Sequence, residues 1–342
     1  MNQAKVLNFF GLLLIMFGIS FAIPLFVAIF YGESLIRVFA LGMSILVLMG
    51  FLSWFFTKDN KQELSLSDGF VITVLFWIVL SVSGSIPFIL FGFGIVDSFF
   101  ESMSGITTTG ATVIAGLDDL PKSLLIYRQL LQWLGGMGLI VLAIAVMPLL
   151  GIGGGQLFKT QTPGPMSEQR LTPRITSTAR ALWSIYFVLT VLCIFAYRLA
   201  GMSYFDAVSH AFSTVSIGGF STHDLSIGFF DSLSIEIVCI TFMLLSAMSF
   251  AVHYSAIYRK QVLKYFYDPE LRFFVSLLIV ILCMVCLSLF ANNIDDPIRS
   301  GLFQTVSIIT TTGFLTDEYS SWPAYVSFIL LVGAFVGACS CL

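Results

Sequence analysis

Long apolar runs separated by short polar breaks dominate the chain. Eight runs, at about 8–31, 35–56, 69–93, 124–150, 181–200, 230–257, 272–291 and 322–342, are long enough to cross a ~30 Å hydrocarbon core as helices. Three shorter, more polar segments lie among them and repeat one another. Residues 97–111 read DSFFESMSGITTTGA, residues 206–220 read DAVSHAFSTVSIGGF and residues 300–314 read SGLFQTVSIITTTGF. They align without a gap, so Gly110, Gly219 and Gly313 coincide, as do Ser104, Ser213 and Ser307. Each predicts a helix of roughly 11 residues, rising about 16 Å, that runs into a Ser/Thr/Gly turn. A half-length helix and a polar glycine turn between two full spans is the layout of a re-entrant loop.

The repeat sets the organisation. From residue 69 onward the order span, half-helix, turn, span recurs three times. The pattern predicts an all-α polytopic membrane protein. An N-terminal two-helix hairpin (1–68) precedes a first pore-loop repeat (69–155), a cytoplasmic loop (156–180), a second repeat (181–270) and a third (271–342). The first run is too long for a signal-peptide core and lacks a clear small-x-small cleavage site, so it reads as a retained span.

Composition agrees with this picture. Of the 342 residues 58% are hydrophobic and 10% charged, and the mean hydropathy is +0.97; soluble domains carry about 25% charged residues. Charge adds an orientation. With the N-terminus in the cytoplasm and the half-helices entering from outside, the inner segments hold 11 of the 16 basic residues and six of the 19 acids. The Lys/Arg excess supports that orientation. The 13 outer acids would draw cations toward the outer mouth.

The turn chemistry suits a cation. An ion stripped of water needs replacement oxygens, which backbone carbonyls aimed at one axis can supply. Glycine permits the backbone angles such a turn requires. Thr107, Thr108, Thr109, Thr310, Thr311 and Thr312 add hydroxyl oxygens without charge, and the half-helix C-termini carry partial negative charge. Other features have plainer readings. The C-x-x-C of Cys283 and Cys286 sits in an apolar run without a second pair. GIGGG at 151–155 follows no strand, and GGMG at 135–138 reads as a site of close helix packing. His210 aligns with Glu101 and Gln304 and is expected to make a hydrogen bond that steadies its half-helix. His223 and Asp224 are placed at the outer mouth. Arg128 and His253 are placed near span ends with their polar tips at the interface. The sequence has no H-E-x-x-H, and its spans carry no nucleophile–base pair or aspartate pair at membrane depth, which argues against an intramembrane enzyme.

The segments SGITTTGATV (104–113), HAFSTVSIGGFSTHD (210–224) and FQTVSIITTTGF (303–314), with YRQLLQWLGGMG (127–138) and LGIGG (150–154), carry a family resemblance. The chain resembles the membrane subunit of the bacterial Trk-type potassium uptake system (TrkH-like), in the Trk/Ktr/HKT cation transporter superfamily. The resemblance implies pseudo-repeats around one central pore, with filter glycines at Gly110, Gly219 and Gly313. Thr108, Thr109, Ser216, Ile217, Gly218, Thr311 and Thr312 would line the path. A glycine at the position of Gly110 goes with potassium in this superfamily, so potassium is the transported ion implied, with no covalent cofactor. A homodimer in the bacterial inner membrane is implied, its loops at 156–180 and 258–271 docking a cytosolic nucleotide-binding regulatory subunit of the TrkA type, with no nucleic-acid partner. A proton- or sodium-coupled cation symporter with the same filter is the alternative. The family has four units and three are counted here. The sequence ends VGACSCL at Leu342, so the expectation is a C-terminally truncated chain, short of a competent selective pore by itself.

Overall fold

The computed structural model describes residues 3–58, 66–138, 175–319 and 322–341. All regular structure among them is helical. They fall into two compact units, one before Arg180 and one from Arg180 onward.

In the first unit, α1 (Gln3–Ser20) and α2 (Ala22–Tyr31) form a 29-residue apolar rod. Its irregularity at Phe21 has a local cause: Pro24 lacks the N–H that would have bonded the Ser20 carbonyl. Helix α3 (Ile36–Thr57) returns along α1. The two backbones touch at glycines, since a Cβ on Gly50 would lie 2.6 Å from the Gly11 carbonyl oxygen. Small residues permit this approach where lipid supplies no hydrophobic drive. Ser53 Oγ donates to the Leu7 carbonyl at 2.8 Å and fixes the register.

Helix α4 (Leu66–Phe91) follows and carries Pro87. The short α5 (Ile95–Ile106) folds back on α4. An extended stretch with a 3₁₀ turn at Leu117–Asp119 leads to α6 (Lys122–Gly136). The N-terminus of α6 is capped from far away. The Glu33 carboxylate accepts the backbone N–H groups of Lys122 (2.7 Å) and Ser123 (3.1 Å) and the Ser123 hydroxyl. A carboxylate there satisfies orphan donors and meets the positive end of the helix dipole.

The second unit contains α7 (Ile175–Leu199) from Arg180 onward, α8 (Tyr204–Val215), α9 (Leu233–Ala247), α10 (Phe250–Tyr258), α11 (Lys264–Tyr267), α12 (Pro269–Ala291), α13 (Pro297–Ile309) and α14 (Ala324–Cys341). Local side-chain caps start two of them. Ser203 accepts the Asp206 N–H at 3.1 Å, and Asp268 accepts those of Glu270 and Leu271 at 3.2 Å ahead of Pro269. Helix α13 packs against α12 and α14.

Five of the expected runs are long apolar helices: the α1–α2 rod, α3, α4, α7 and α12. The run at 230–257 is not one straight span. It breaks after Ala247, and α10 leaves at 93° to α9. His253 accounts for part of the break, because its Nε2 meets the Leu245 carbonyl at 2.8 Å and satisfies a group the helix end leaves open. His253 is 3% exposed, with Nδ1 2.7 Å from the Tyr265 hydroxyl. It is an internal bracket, not the interfacial tip expected of it. The later part of the run at 124–150, LGIGG at 150–154 and residues 156–174 of the expected loop lie outside the described residues.

Candidate functional site

The three half-helices α5, α8 and α13 have 12, 12 and 13 residues, a rise of about 18–20 Å. All three end the same way. In the first, the Thr109 N–H reaches the Ser104 carbonyl (2.9 Å) and the Thr108 N–H that of Gly105 (3.0 Å). In the second, Gly218 bonds Ser213 (2.8 Å) and Ile217 bonds Thr214 (3.1 Å). In the third, Thr312 bonds Ser307 (2.9 Å) and Thr311 bonds Ile308 (3.0 Å). These crossed bonds are the Schellman closure of a helix C-terminus. The aligned serines Ser104, Ser213 and Ser307 each supply the outer carbonyl.

The closure needs a left-handed residue just past the cap, and here that residue is not glycine. Thr108, Ile217 and Thr311 take φ of 55°, 55° and 61°. All are β-branched, for which this region is strained. Two residues later Gly110, Gly219 and Gly313 also take positive φ, at 77°, 80° and 84°. The backbone of the turn is thus held in one unusual conformation three times over. Hydroxyls brace two of the turns: Thr107 Oγ1 meets Thr109 Oγ1, and Thr310 Oγ1 meets Thr312 Oγ1, each at 2.8 Å. In the second turn Ser216 Oγ donates to the Ser213 carbonyl at 3.2 Å.

Two of the three glycine turns lie together in the second unit. A Cβ on Gly219 would be 2.0 Å from the Thr312 oxygen and 3.3 Å from the Gly313 carbonyl carbon. The segments leaving them are cross-bonded. The Gly228 N–H reaches the Leu315 carbonyl (3.0 Å), and the Leu315 N–H reaches Ser226 Oγ (3.1 Å). Gly110 sits at the corresponding point of the first unit.

The aligned position on each half-helix ties down the segment that leaves the glycine. Glu101 accepts the Thr112 hydroxyl (2.9 Å) and the Val113 N–H (3.3 Å). His210 Nδ1 faces the Asp206 carbonyl at 2.9 Å, which can only accept, so the proton is on Nδ1 and Nε2 accepts from Ser221 Oγ at 2.9 Å. Gln304 Nε2 donates to the Asp317 carbonyl at 3.1 Å. The hydrogen bonds expected of these residues therefore act chiefly on the outgoing segment. The first is reinforced by Arg128, whose Nε lies 2.7 Å from Glu101 Oε1, both side chains being buried. Arg128 is not at an interface as expected. Its partner is on another helix, 27 residues earlier, and no periodicity in the sequence announces such a pairing. A matching surprise in the second unit is Arg299, which bridges Glu236 (2.7 Å) and Asp231 (2.9 Å) beside a cavity of about 110 Å³ also bordered by Asp296 and Asp317.

The half-helix ends are also clamped from the side. A Cβ on Gly135 of α6 would lie 1.9 Å from the Ile106 oxygen, and one on Gly337 of α14 would lie 2.1 Å from that of Ile309. Ile106 and Ile309 are aligned residues, so the first and third repeats use the same glycine seat. The close packing read from GGMG is thus located at Gly135.

Residues 35–342 match the family model described as "TrkH: Cation transport protein". A Trk system potassium uptake protein, TrkH, of Halomonas elongata is 46% identical over 99% of this chain and 72% of its own length. The protein of the same name from Escherichia coli is 42% identical over the same shares. The crystal structure of the potassium transporter TrkH from Vibrio parahaemolyticus superposes with a TM-score of 0.86 at 43% identity, over 98% of this chain and 70% of that one. With its apolar helices and this match along nearly its whole length, the chain is a multi-pass membrane protein of the TrkH cation transport family.

Proposed function

We propose that the chain serves potassium uptake across the bacterial inner membrane as part of a channel-like pore, to whose filter it contributes the turns 108–110, 216–219 and 311–313. The observation that carries this reading is the threefold turn: a Schellman closure, a strained left-handed residue, then a left-handed glycine. Such backbone can be kept at membrane depth only where it is buried in protein or lines a cavity. The hydroxyls of Thr109 and Thr312 are engaged with Thr107 and Thr310, so peptide oxygens are the main ligands for a dehydrated ion. The half-helix C-termini add partial negative charge at the same place. Potassium is the ion named for the relatives, and Gly110 occupies the position associated with it.

The pore works within a homodimer, with the N-terminus in the cytoplasm by the Lys/Arg distribution. A cytosolic nucleotide-binding regulatory subunit of the TrkA type docks on the loops at 156–180 and 258–271. The relatives' names place them in a Trk system, which accords with such a partner. A proton- or sodium-coupled symporter using the same filter is the second reading. The buried Glu101–Arg128 pair is the feature that bears on it, because buried ionisable groups in membrane transporters often serve coupling.

The test is uptake of potassium and sodium by cells that lack their own potassium uptake. Replacing Gly110→Ser should admit sodium and lower potassium entry; an unchanged ion preference would remove the filter assignment. Uptake that ignores a collapsed proton gradient and follows membrane voltage separates the channel from the symporter.

A further inference from the structure

We infer that Thr112 is a positioning residue for the first filter turn, held in place by the buried Glu101–Arg128 pair; this rests on the filter reading above. Thr112 lies two residues beyond Gly110. Its Oγ1 is 2.9 Å from Glu101 Oε2 and 3.0 Å from Oε1, receives Arg128 Nη2 at 3.0 Å, and accepts the Ile114 N–H at 3.1 Å. One hydroxyl therefore joins both members of an ion pair to the backbone of the outgoing segment. Glu101 adds the Val113 N–H.

The pair is a firm anchor because its charges are out of water. Side-chain exposure is 1% for Arg128 and 0% for Glu101, so neither can relax into solvent without the other. Hydrogen bonds to charged groups are also the stronger kind. At the aligned position the other repeats use neutral groups, His210 to Ser221 and Gln304 to the Asp317 carbonyl, and in the second repeat Asp206 also accepts the Thr222 hydroxyl. Of the three aligned positions, only the first anchors its outgoing segment through a buried ion pair. Gly110 is trapped between the helix closure at Ser104–Thr109 and this anchor, which sets the height of its peptide oxygens. A loosened segment lets those oxygens close in on the smaller sodium ion.

Thr112→Ala tests this without leaving a buried charge unpaired, since Glu101 and Arg128 keep each other. In the purified full chain, amide exchange at Val113 and Ile114 should rise about tenfold, while the amides of α5 stay protected. Thr112→Ser should restore protection. Ser221→Ala, which removes the acceptor of the His223 N–H at 3.1 Å, should raise exchange at His223 in the same way. Unchanged exchange at Val113 and Ile114 overturns the positioning role whether or not the chain transports ions. In cells, Thr112→Ala should lower the potassium-to-sodium uptake ratio about tenfold at an unchanged amount in the membrane, with Thr112→Ser restoring it. An unchanged ratio overturns the inference. If the parent chain shows no potassium preference, the filter reading is what fails, and the exchange measurement still decides the role of Thr112.

Discussion

The Cα of Gly219 rests against the peptide of Thr312: a methyl group built there would lie 2.0 Å from the Thr312 oxygen. Two turns from different repeats thus meet backbone to backbone. Gly313 has nearly the same φ, 84° against 80°, yet nothing lies within 4 Å of its missing Cβ.

That contrast separates two costs of adding a side chain. Gly313→Ala meets only left-handed strain, about 1–2 kcal/mol. Gly219→Ala meets the same strain and also has to displace the Thr312 backbone. We expect Gly313→Ala to reach the membrane and keep measurable potassium uptake, and Gly219→Ala to lose uptake. Equal losses in the two variants, at equal amounts of protein in the membrane, would contradict the contact.

The Glu101–Arg128 pair makes a prediction about stability. Arg128→Met leaves a buried carboxylate unpaired, and Glu101→Met leaves a buried guanidinium; each should cost about 3–5 kcal/mol. The double variant removes both charges and should recover most of that loss. Thermal unfolding of the purified chain in detergent measures it. Additive losses in the double variant would mean that the two side chains do not act as a pair.

Asp206, in the first turn of α8, supplies a pH dependence. Burial raises its pKa, but the His223 imidazole 3.5 Å away and hydrogen bonds from Ser203 and Thr222 outweigh burial and hold it at about 2. The folded value lies below the ordinary 3.8, so the group stabilises the fold above about pH 4, and the contribution is lost as pH falls toward 2. Thr222 Oγ1 donates to Asp206 at 2.9 Å from the segment that leaves Gly219. Acidification from pH 4 to pH 2 should therefore lower the protection of the amides around Thr222, taken relative to their intrinsic exchange rates at each pH. Asp206→Asn should exchange faster already at neutral pH and lose that acid dependence; a variant that keeps the parent's pH profile would rule Asp206 out as its source.

Much of the fold was legible because it is local. Apolar runs of about 20 residues have few alternatives to a helix in lipid. The aligned glycines and serines mark half-helix ends because a helix C-terminus closes within five or six residues of chain. Gly135 was readable as a packing site because a glycine cluster in an apolar run has few other uses. Legibility failed where the partner is remote. Arg128 reads as an interfacial arginine until Glu101 is placed beside it, and nothing near Glu33 in the sequence announces that α6 begins at its carboxylate. The break after Ala247 carries no proline or glycine signal, and its explanation in part is a histidine eight residues after Leu245.

The sequence by itself determined the apolar helices, the three half-helices and the glycine that follows each one, since hydrophobic length and backbone sterics act over a few turns of chain. Tertiary structure alone decided that Thr108, Ile217 and Thr311 would take left-handed angles their side chains resist, that Gly219 would face Thr312, and that Glu101 would find Arg128. Those outcomes depend on which distant groups share a desolvated space, where an unpaired charge or an extra methyl group costs more than the local strain it would relieve.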